Sequence, residues 1–417
     1  MGTFVEVPLP PGRKAVKYKW VFKKKTLADG SLDKYKARVV SKGFSKRYGE
    51  DYTETKVSVT VRVVLVVVVI RRMKRLQVDI KTAFLNSPLQ EEIYMEPVEG
   101  YENNDGYASR SWYEKLRAYL ISLGFQCRKD DNCLFIKGVD ETLMIVLVYV
   151  DGILAFYMCD ADLFDFKASM EATFELTTLM IFITFWWSCG GDEVRVSQHK
   201  SVCNEECTSR GNVHGRTVQR PSLPGADLTT FNPRPALGAL LYLSVLTRPD
   251  ISTAFRLRAQ ETERPTASLK AGIENVFRYL RSTKEHGLVI RDGAEHDGLV
   301  VYCNAAFAST GFAIFYDGNL VEWGSKKQGT VTLSSTEAEY IAMATGLQDC
   351  IGIMLVLKDL GIVAKNIVVM EDNQGAQHLA ESKGALSVLV ISTLSTIGYV
   401  RRYQMAWYVY NTVRPAK

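Results

Sequence analysis

Residues 143–157 read LMIVLVYVDGILAFY, two apolar runs on either side of an Asp-Gly pair. Such a pair between apolar runs is a strong short-range signal for a β-hairpin with a tight turn. Runs this short and this apolar belong on a buried sheet, so a core has to be built around the hairpin. An aspartate at the tip of a buried hairpin is also a place where a metal ion can be held. Asp151 is therefore both a turn residue and a candidate ligand.

The chain has 417 residues, enough for two or three domains with substantial cores. With 47% hydrophobic and 23% charged residues it reads as globular rather than disordered. Eight cysteines lie at irregular spacing, which suits free thiols in a reducing compartment. The opening MGTFVEVPLPPGRK has no long apolar core, so no secretory signal is expected. The longest apolar runs, Val63 to Ile70 and Leu179 to Trp187, fall short of the roughly 20 residues that cross a bilayer. A soluble intracellular protein is the expectation.

The net charge of +5 conceals a strong asymmetry. Between Arg13 and Arg47 there are 13 Lys or Arg residues against two acids, Asp29 and Asp33. That segment alone carries +11, which leaves −6 for the remainder. Such a block points to a polyanionic partner, most often nucleic acid; a solvated basic face is the plainer reading. The pattern predicts a basic hairpin from Lys17 to Val40, with Lys34, Lys36 and Arg38 on one face of its second strand.

Further along, RLQVDIKTAFLN reads as a buried strand with the lone acid Asp79 inside it. SWYEKLRAYLISLGF has helical spacing and stops at Gly124, and CLFIK is a further strand. From Met180 to Asp227 periodicity fades, and the stretch reads as a linker. Helices return between Arg234 and Thr283. From Gly287 onward GLVIRDG, GLVVYCNAAFA, GFAIFYDGNLVEW and GTVTLSS read as four short strands in hairpins. They precede a long helix entered through Ser and Thr caps, then a strand and a last helix. The class is α+β.

Taken together, KYKARVVSKGFSKRYGEDYTET, QVDIKTAFLNSPLQEEIYMEP, LVYVDGILA, LYLSVLTRPDI, WGSKKQGTVTLSSTEAEYIA and EDNQGAQHLA resemble the reverse transcriptase–RNase H region of copia-type long-terminal-repeat retrotransposons, in the family's order. The resemblance implies a right-hand polymerase with fingers and palm in 1–180, a degraded thumb and helical connection in 181–286, and an RNase H-like domain in 287–417. Divalent Mg2+ or Mn2+, an RNA template, RNA–DNA hybrid and DNA are the implied cofactor and partners, with no membrane. The implied location is the cytoplasm, in virus-like particles, or the nucleus.

The resemblance also assigns residues. Asp79 and Asp151 match two of the three polymerase carboxylates, and Arg38 matches an arginine that contacts the incoming triphosphate. The third carboxylate position is Gly152, in a turn reading Tyr149-Val150-Asp151-Gly152. Near 103–111 the chain lacks the family's Tyr-Gly-Leu-Lys-Gln stretch before Trp112. In the RNase H part Glu339 is the preferred catalytic glutamate, with Glu337 as the near alternative, and Asp372 is a second acid. Asn304 occupies the place of the first acid, and no fourth acid lies between Ser387 and Gly398. These losses describe a degenerate copy, catalytically impaired or inactive. The rival readings are a non-catalytic nucleic-acid-binding remnant or repurposed module, an unrelated α+β scaffold, and an enzyme that tolerates both substitutions. His199, Cys203, Cys207 and His214 match no common zinc spacing.

Overall fold

The computed structural model describes residues 15, 18–26, 32–41, 57–81, 109–128, 131–149, 152–178, 186–190, 193–197, 231–263, 265–292, 298–306, 309–329, 332, 334–364, 367–381, 397–399 and 413–414. The chain divides into two compact units, Met1–Thr55 with Leu76–Thr178, and Lys56–Arg75 with Leu179–Lys417.

In the first unit, β1 (Tyr18–Thr26) and β2 (Leu32–Ser41) form the expected antiparallel ladder. Its register sets Lys25 opposite Lys34, Lys23 opposite Lys36 and Val21 opposite Arg38. Phe22 and Tyr35, at the intervening positions, are each 75% exposed.

The remainder of the unit is a six-stranded sheet built from β3 (Lys74–Ile80), β4 (Gln126–Cys127), β5 (Leu134–Lys137), β6 (Met144–Tyr149), β7 (Gly152–Tyr157) and β8 (Leu176–Thr178), in the order β4-β5-β6-β7-β3-β8. Two helices, α2 (Ser109–Ser122) and α3 (Asp160–Thr173), are spliced between its strands. Trp112, Leu116 and Leu120 of α2 and Phe166 and Met170 of α3 pack with Val78, Ile80, Val146, Val148 and Ile153 in one core. α2 stops where the sequence says it should, because Gly124 takes φ +87, a left-handed conformation that glycine enters without strain.

The second unit begins with α1 (Val57–Ile70), VSVTVRVVLVVVVI. A run this rich in valine has strand propensity. It is helical because Val63 to Val69 are all buried against α7 (Ser335–Asp359), β11 (Gly287–Arg291) and β14 (Asn319–Lys327). Burying each valine contributes about 1.5–3 kcal/mol, against a helix-propensity cost under about 0.7 kcal/mol, so burial decides the conformation.

Helices α4 (Arg234–Leu246), α5 (Ser252–Ala259) and α6 (Ala267–Ser282) close over Leu240, Leu243, Ile251, Leu269, Ile273 and Leu280. Here the TRPD motif is structural. Fully buried Arg248 donates to both Asp250 oxygens and to the Thr283 carbonyl, tying the end of α4 to the end of α6.

Two further sheets complete the unit. One runs β14-β13-β12-β15-β16, with β12 (Leu299–Ala306), β13 (Ser309–Tyr316), β15 (Ile367–Met370) and β16 (Ile397–Tyr399); β12, β13 and β14 are antiparallel, and β15 and β16 join in parallel. α7 lies across β12 and β13. It approaches closely because Gly346 has no side chain; a Cβ there would stand 2.8 Å from Val301 Cγ2. By length and composition α7 could cross a membrane, but Ala342, Met343, Leu347, Cys350, Ile353 and Leu357 are buried as in a core helix.

The other sheet corrects two sequence readings. It runs β17-β11-β10-β9, with β9 (Trp186–Gly190), β10 (Glu193–Ser197) and β17 (Val413–Arg414). The stretch read as linker from Met180 thus supplies two paired strands, since a turn-and-alternation pattern short enough to pass for irregular chain still forms a ladder once a neighbour is present. And β11 pairs with β10 and β17 rather than forming a hairpin with β12. GFAIFYDGNLVEW is itself two strands, β13 and β14, turning through Asp317 and Gly318, both at positive φ; the described residues of GTVTLSS form no strand.

Arg62 is the polar anchor of α1. It is 3% exposed, donates to the carbonyls of Val321 (2.5 Å) and Val245 (2.9 Å), pairs with Glu322 Oε2 at 2.6 Å and lies over the Trp323 ring. Arg62→Ala leaves Glu322 and those carbonyls without their donor and should cost about 3–5 kcal/mol in urea unfolding. The double replacement Arg62→Met with Glu322→Leu should cost far less, because no charge is stranded.

Candidate metal centre

The chain enters α7 through Ser334, whose backbone is extended (φ −143, ψ 158) and whose Oγ accepts the Glu337 N–H at 3.1 Å. That start places Glu339 among the inward residues Ala338, Ala342 and Met343. On β15, Ile367 and Val369 point inward, and the alternation carries Glu371 inward as well. The strand then turns into α8 (Gln374–Glu381): Glu371 Oε1 accepts the Asn373 N–H at 2.9 Å, and Asn373 Oδ1 accepts the Ala376 N–H at 3.0 Å.

The result is a cluster in which carboxylate oxygens of Glu339, Glu371 and Asp372 all lie within 4.8 Å of one another. Glu339 is 8% exposed and Glu371 2%, while Asp372 faces solvent. Glu339 accepts a hydrogen bond from the Ala305 backbone, yet Oε2 of Glu339 and Oε2 of Glu371 are buried without a hydrogen-bond partner. Among the described residues, no lysine or arginine is ion-paired with the three. Burial, reinforced by Asp372, pushes the Glu339 carboxyl up to about 7. Burial, with Glu339 and Asp372 as like-charged neighbours, does the same to Glu371. The thiol of Cys303 is pushed up by burial and by these acids, so the donors here are oxygens.

Three converging carboxylates, two of them carrying buried oxygens without a partner, fit a hard divalent cation such as Mg2+ or Mn2+. Glu371 is the residue that reading the sequence passed over. Its signal was present: an acid directly after IVVM, in phase with the buried positions of the strand. Of the two glutamates weighed on α7, Glu339 is the one in the cluster; Glu337 sits in the capped first turn. Asn304 is exposed on β12. Tyr302 pairs with Met370, and continuing that parallel register by two residues sets Asn304 level with Asp372.

In the first unit, Asp79 lies on β3 between Val78 and Ile80, both 1% exposed, and so takes the opposite face. β3 is the neighbour of β7, so the Asp79 strand runs beside the β6–β7 hairpin. Tyr149 pairs with Gly152, and Val150 and Asp151 lie outside the described residues. Gly152 does not have a left-handed backbone, and an added Cβ would meet only the Tyr149 carbonyl at 3.5 Å, an ordinary contact. The fold does not require glycine there. Lys34, Lys36 and Arg38 hold alternate positions of β2. His199, Cys203, Cys207 and His214 lie outside the described residues, as does most of the interval expected to hold a fourth acid.

Residues 1–199 match the family described as Reverse transcriptase (RNA-dependent DNA polymerase), and over that stretch the chain belongs to it. Its relatives give the kind. It is 31% identical over 414 residues to the Retrovirus-related Pol polyprotein from transposon RE2 of Arabidopsis thaliana, covering 89% of this chain and 28% of that protein. It is 30% identical over 430 residues to the corresponding polyprotein from transposon TNT 1-94 of Nicotiana tabacum, covering 91% and 32%. The chain is a copia-type retrotransposon reverse transcriptase region, and it spans less than a third of the length of these relatives. A foamy viral protease-reverse transcriptase solved with double-stranded DNA covers 93% of this chain and 67% of its own at 11% identity, with a TM-score of 0.49, too distant to establish a common fold.

The raised carboxyls set a pH dependence for the chelator-treated chain. Its folded state keeps protons on Glu339 and Glu371 up to about 7, whereas unfolded glutamates release theirs near about 4.3. The pair's contribution to stability is therefore full below about pH 4.3 and is lost as pH rises to about 7. Urea midpoints should fall across that window, and Glu371→Gln should flatten the fall.

Proposed function

We propose that the chain is the reverse transcriptase–RNase H portion of a copia-type polyprotein, with catalysis impaired in both halves and nucleic-acid binding retained. Its first unit would supply fingers and palm of a right-hand polymerase, and the sheet β14-β13-β12-β15-β16 with α7 the RNase H-like domain. The observation that carries the reading is the strand order β6-β7-β3. It sets the strand of Asp79 against the β6–β7 hairpin, where Gly152, next after Asp151 in the sequence, stands in the place of the family's remaining carboxylate. Two Mg2+ or Mn2+ ions bound there would activate the primer hydroxyl and neutralise the leaving phosphates. Asp79 and Asp151 are the residues left to hold them, and Arg38 the residue to meet the triphosphate. In the second site Glu339 and Asp372 remain, while Asn304 keeps the shape of an aspartate without its charge. RNA, DNA and their hybrid are the partners, inside the cell.

Primer extension by the purified chain tests this. No incorporation above a no-enzyme control is expected. Gly152→Asp, which the backbone admits, should fold normally; incorporation by the unaltered chain, abolished by Asp79→Ala, would refute the impairment. Cleavage of an RNA–DNA hybrid is expected to be absent as well.

Retained binding is favoured by the β1–β2 register. It puts lysine opposite lysine twice, an arrangement that destabilises a ladder in isolation and is relieved by a polyanion. Affinity for a short hybrid should fall steeply with salt. Lys34→Ala, Lys36→Ala and Arg38→Ala together should flatten the slope by about one unit for each phosphate that is no longer neutralised. Fluorescence anisotropy across a salt series reads it.

A further inference from the structure

We propose that Glu371 is the third ligand of a divalent-cation site completed by Glu339 and Asp372, standing in for the carboxylate that Asn304 lacks. The inference rests on the RNase H-like reading for the identity of the cation, and on geometry alone for the ligands.

Glu371 is 2% exposed, and its Oε2 has no hydrogen-bond partner, although the turn that follows is fully provided: Glu371 Oε1 takes the Asn373 N–H, and Gln377 donates to the Glu371 carbonyl. The structure thus fixes one oxygen of this side chain and leaves the other buried without a partner, in a side chain that has a carboxylate oxygen within 4.8 Å of those of Glu339 and Asp372. Oε2 of Glu339 is left in the same way from the opposite element. Two buried oxygens without partners, one on α7 and one just past β15, are costly once ionised unless a cation fills the gap between them. An all-oxygen donor set selects Mg2+, Mn2+ or Ca2+ over softer metals.

Asn304 explains why the extra acid is useful. On β12, two residues past the Tyr302–Met370 pair, it can offer an amide oxygen to a cation but no charge. Glu371 restores the count of three carboxylates from a different direction: from the sheet's buried side rather than from the solvent edge where Asn304 sits. A cation so held is more enclosed than one held at position 304.

The test is Mn2+ binding followed by electron paramagnetic resonance on the full chain, in an Asp79→Asn, Asp151→Asn background that silences the other candidate site. One Mn2+ per chain is expected, with affinity reduced at least tenfold by Glu371→Gln and by Asp372→Asn. Adding Asn304→Asp to Glu371→Gln should restore binding, which a variant that had simply unfolded could not do. Affinity unchanged in Glu371→Gln but lowered in Asp372→Asn would overturn the role of Glu371 and leave the RNase H-like reading standing. Loss in Glu371→Gln without rescue by Asn304→Asp would also overturn it. No Mn2+ bound by the starting chain at millimolar concentration would overturn the site itself and leave standing the RNase H-like reading, in which this half is impaired.

Discussion

The second unit depends on one buried guanidinium. Arg62 sits in the middle of a helix that is otherwise almost wholly aliphatic, and it reaches carbonyls and a carboxylate on β14 and the end of α4. Trp323, lying under the guanidinium, donates its indole N–H to the Ser244 carbonyl at 2.7 Å, so the two elements are also joined to each other. Aliphatic surface is non-directional and would let α1 slide or rotate in its groove. Several directional bonds from one side chain remove that freedom. The register of α1, and with it the packing of β11, β14 and α7, follows from where Arg62 is caught.

Much of this fold was legible in the sequence. The basic hairpin, the α2 stop at Gly124, the β6–β7 hairpin and the Ser334 cap all follow from local chemistry, which acts within a few residues and leaves its mark there. What escaped was decided at long range. The valine run of α1 carries strand propensity and becomes a helix because neighbours distant in the chain enclose it. β11 looked like the first arm of a hairpin and instead joins β10, a partner the sequence presented as irregular. The acids assigned to polymerase and RNase H sites come from resemblance alone, which names positions but cannot show what surrounds them. Glu371 lay one residue from a named position and went unremarked, since a motif match directs attention to the residues the motif contains.

The two units treat acid differently. In the first, Gly152 leaves space for a side chain beside the β6–β7 turn. In the second, an amide, Asn304, is exposed on β12, and an acid, Glu371, is buried just past β15. Burial makes both Glu339 and Glu371 costly to ionise, and like-charged neighbours add to it: Asp372 for Glu339, and Glu339 with Asp372 for Glu371. The pair is therefore a destabilising feature of the core and identifies the place where folding preference and chemistry diverge most.

The position of α1 in the chain has a consequence for synthesis. Arg62 finds its carbonyl at Val321, 259 residues later. At about 5–20 residues per second a ribosome needs roughly 10–50 s to make that partner. Throughout that interval VVLVVVVI is emerged, uncharged and without the enclosure that makes it helical. In that state its own propensity prevails, and it is extended, β-branched and free of proline, which is the composition of a segment that seeds intermolecular β-stacking. The nascent chain thus carries an aggregation hazard that lasts until the other end of the unit arrives and that the finished chain, with this run buried, does not show.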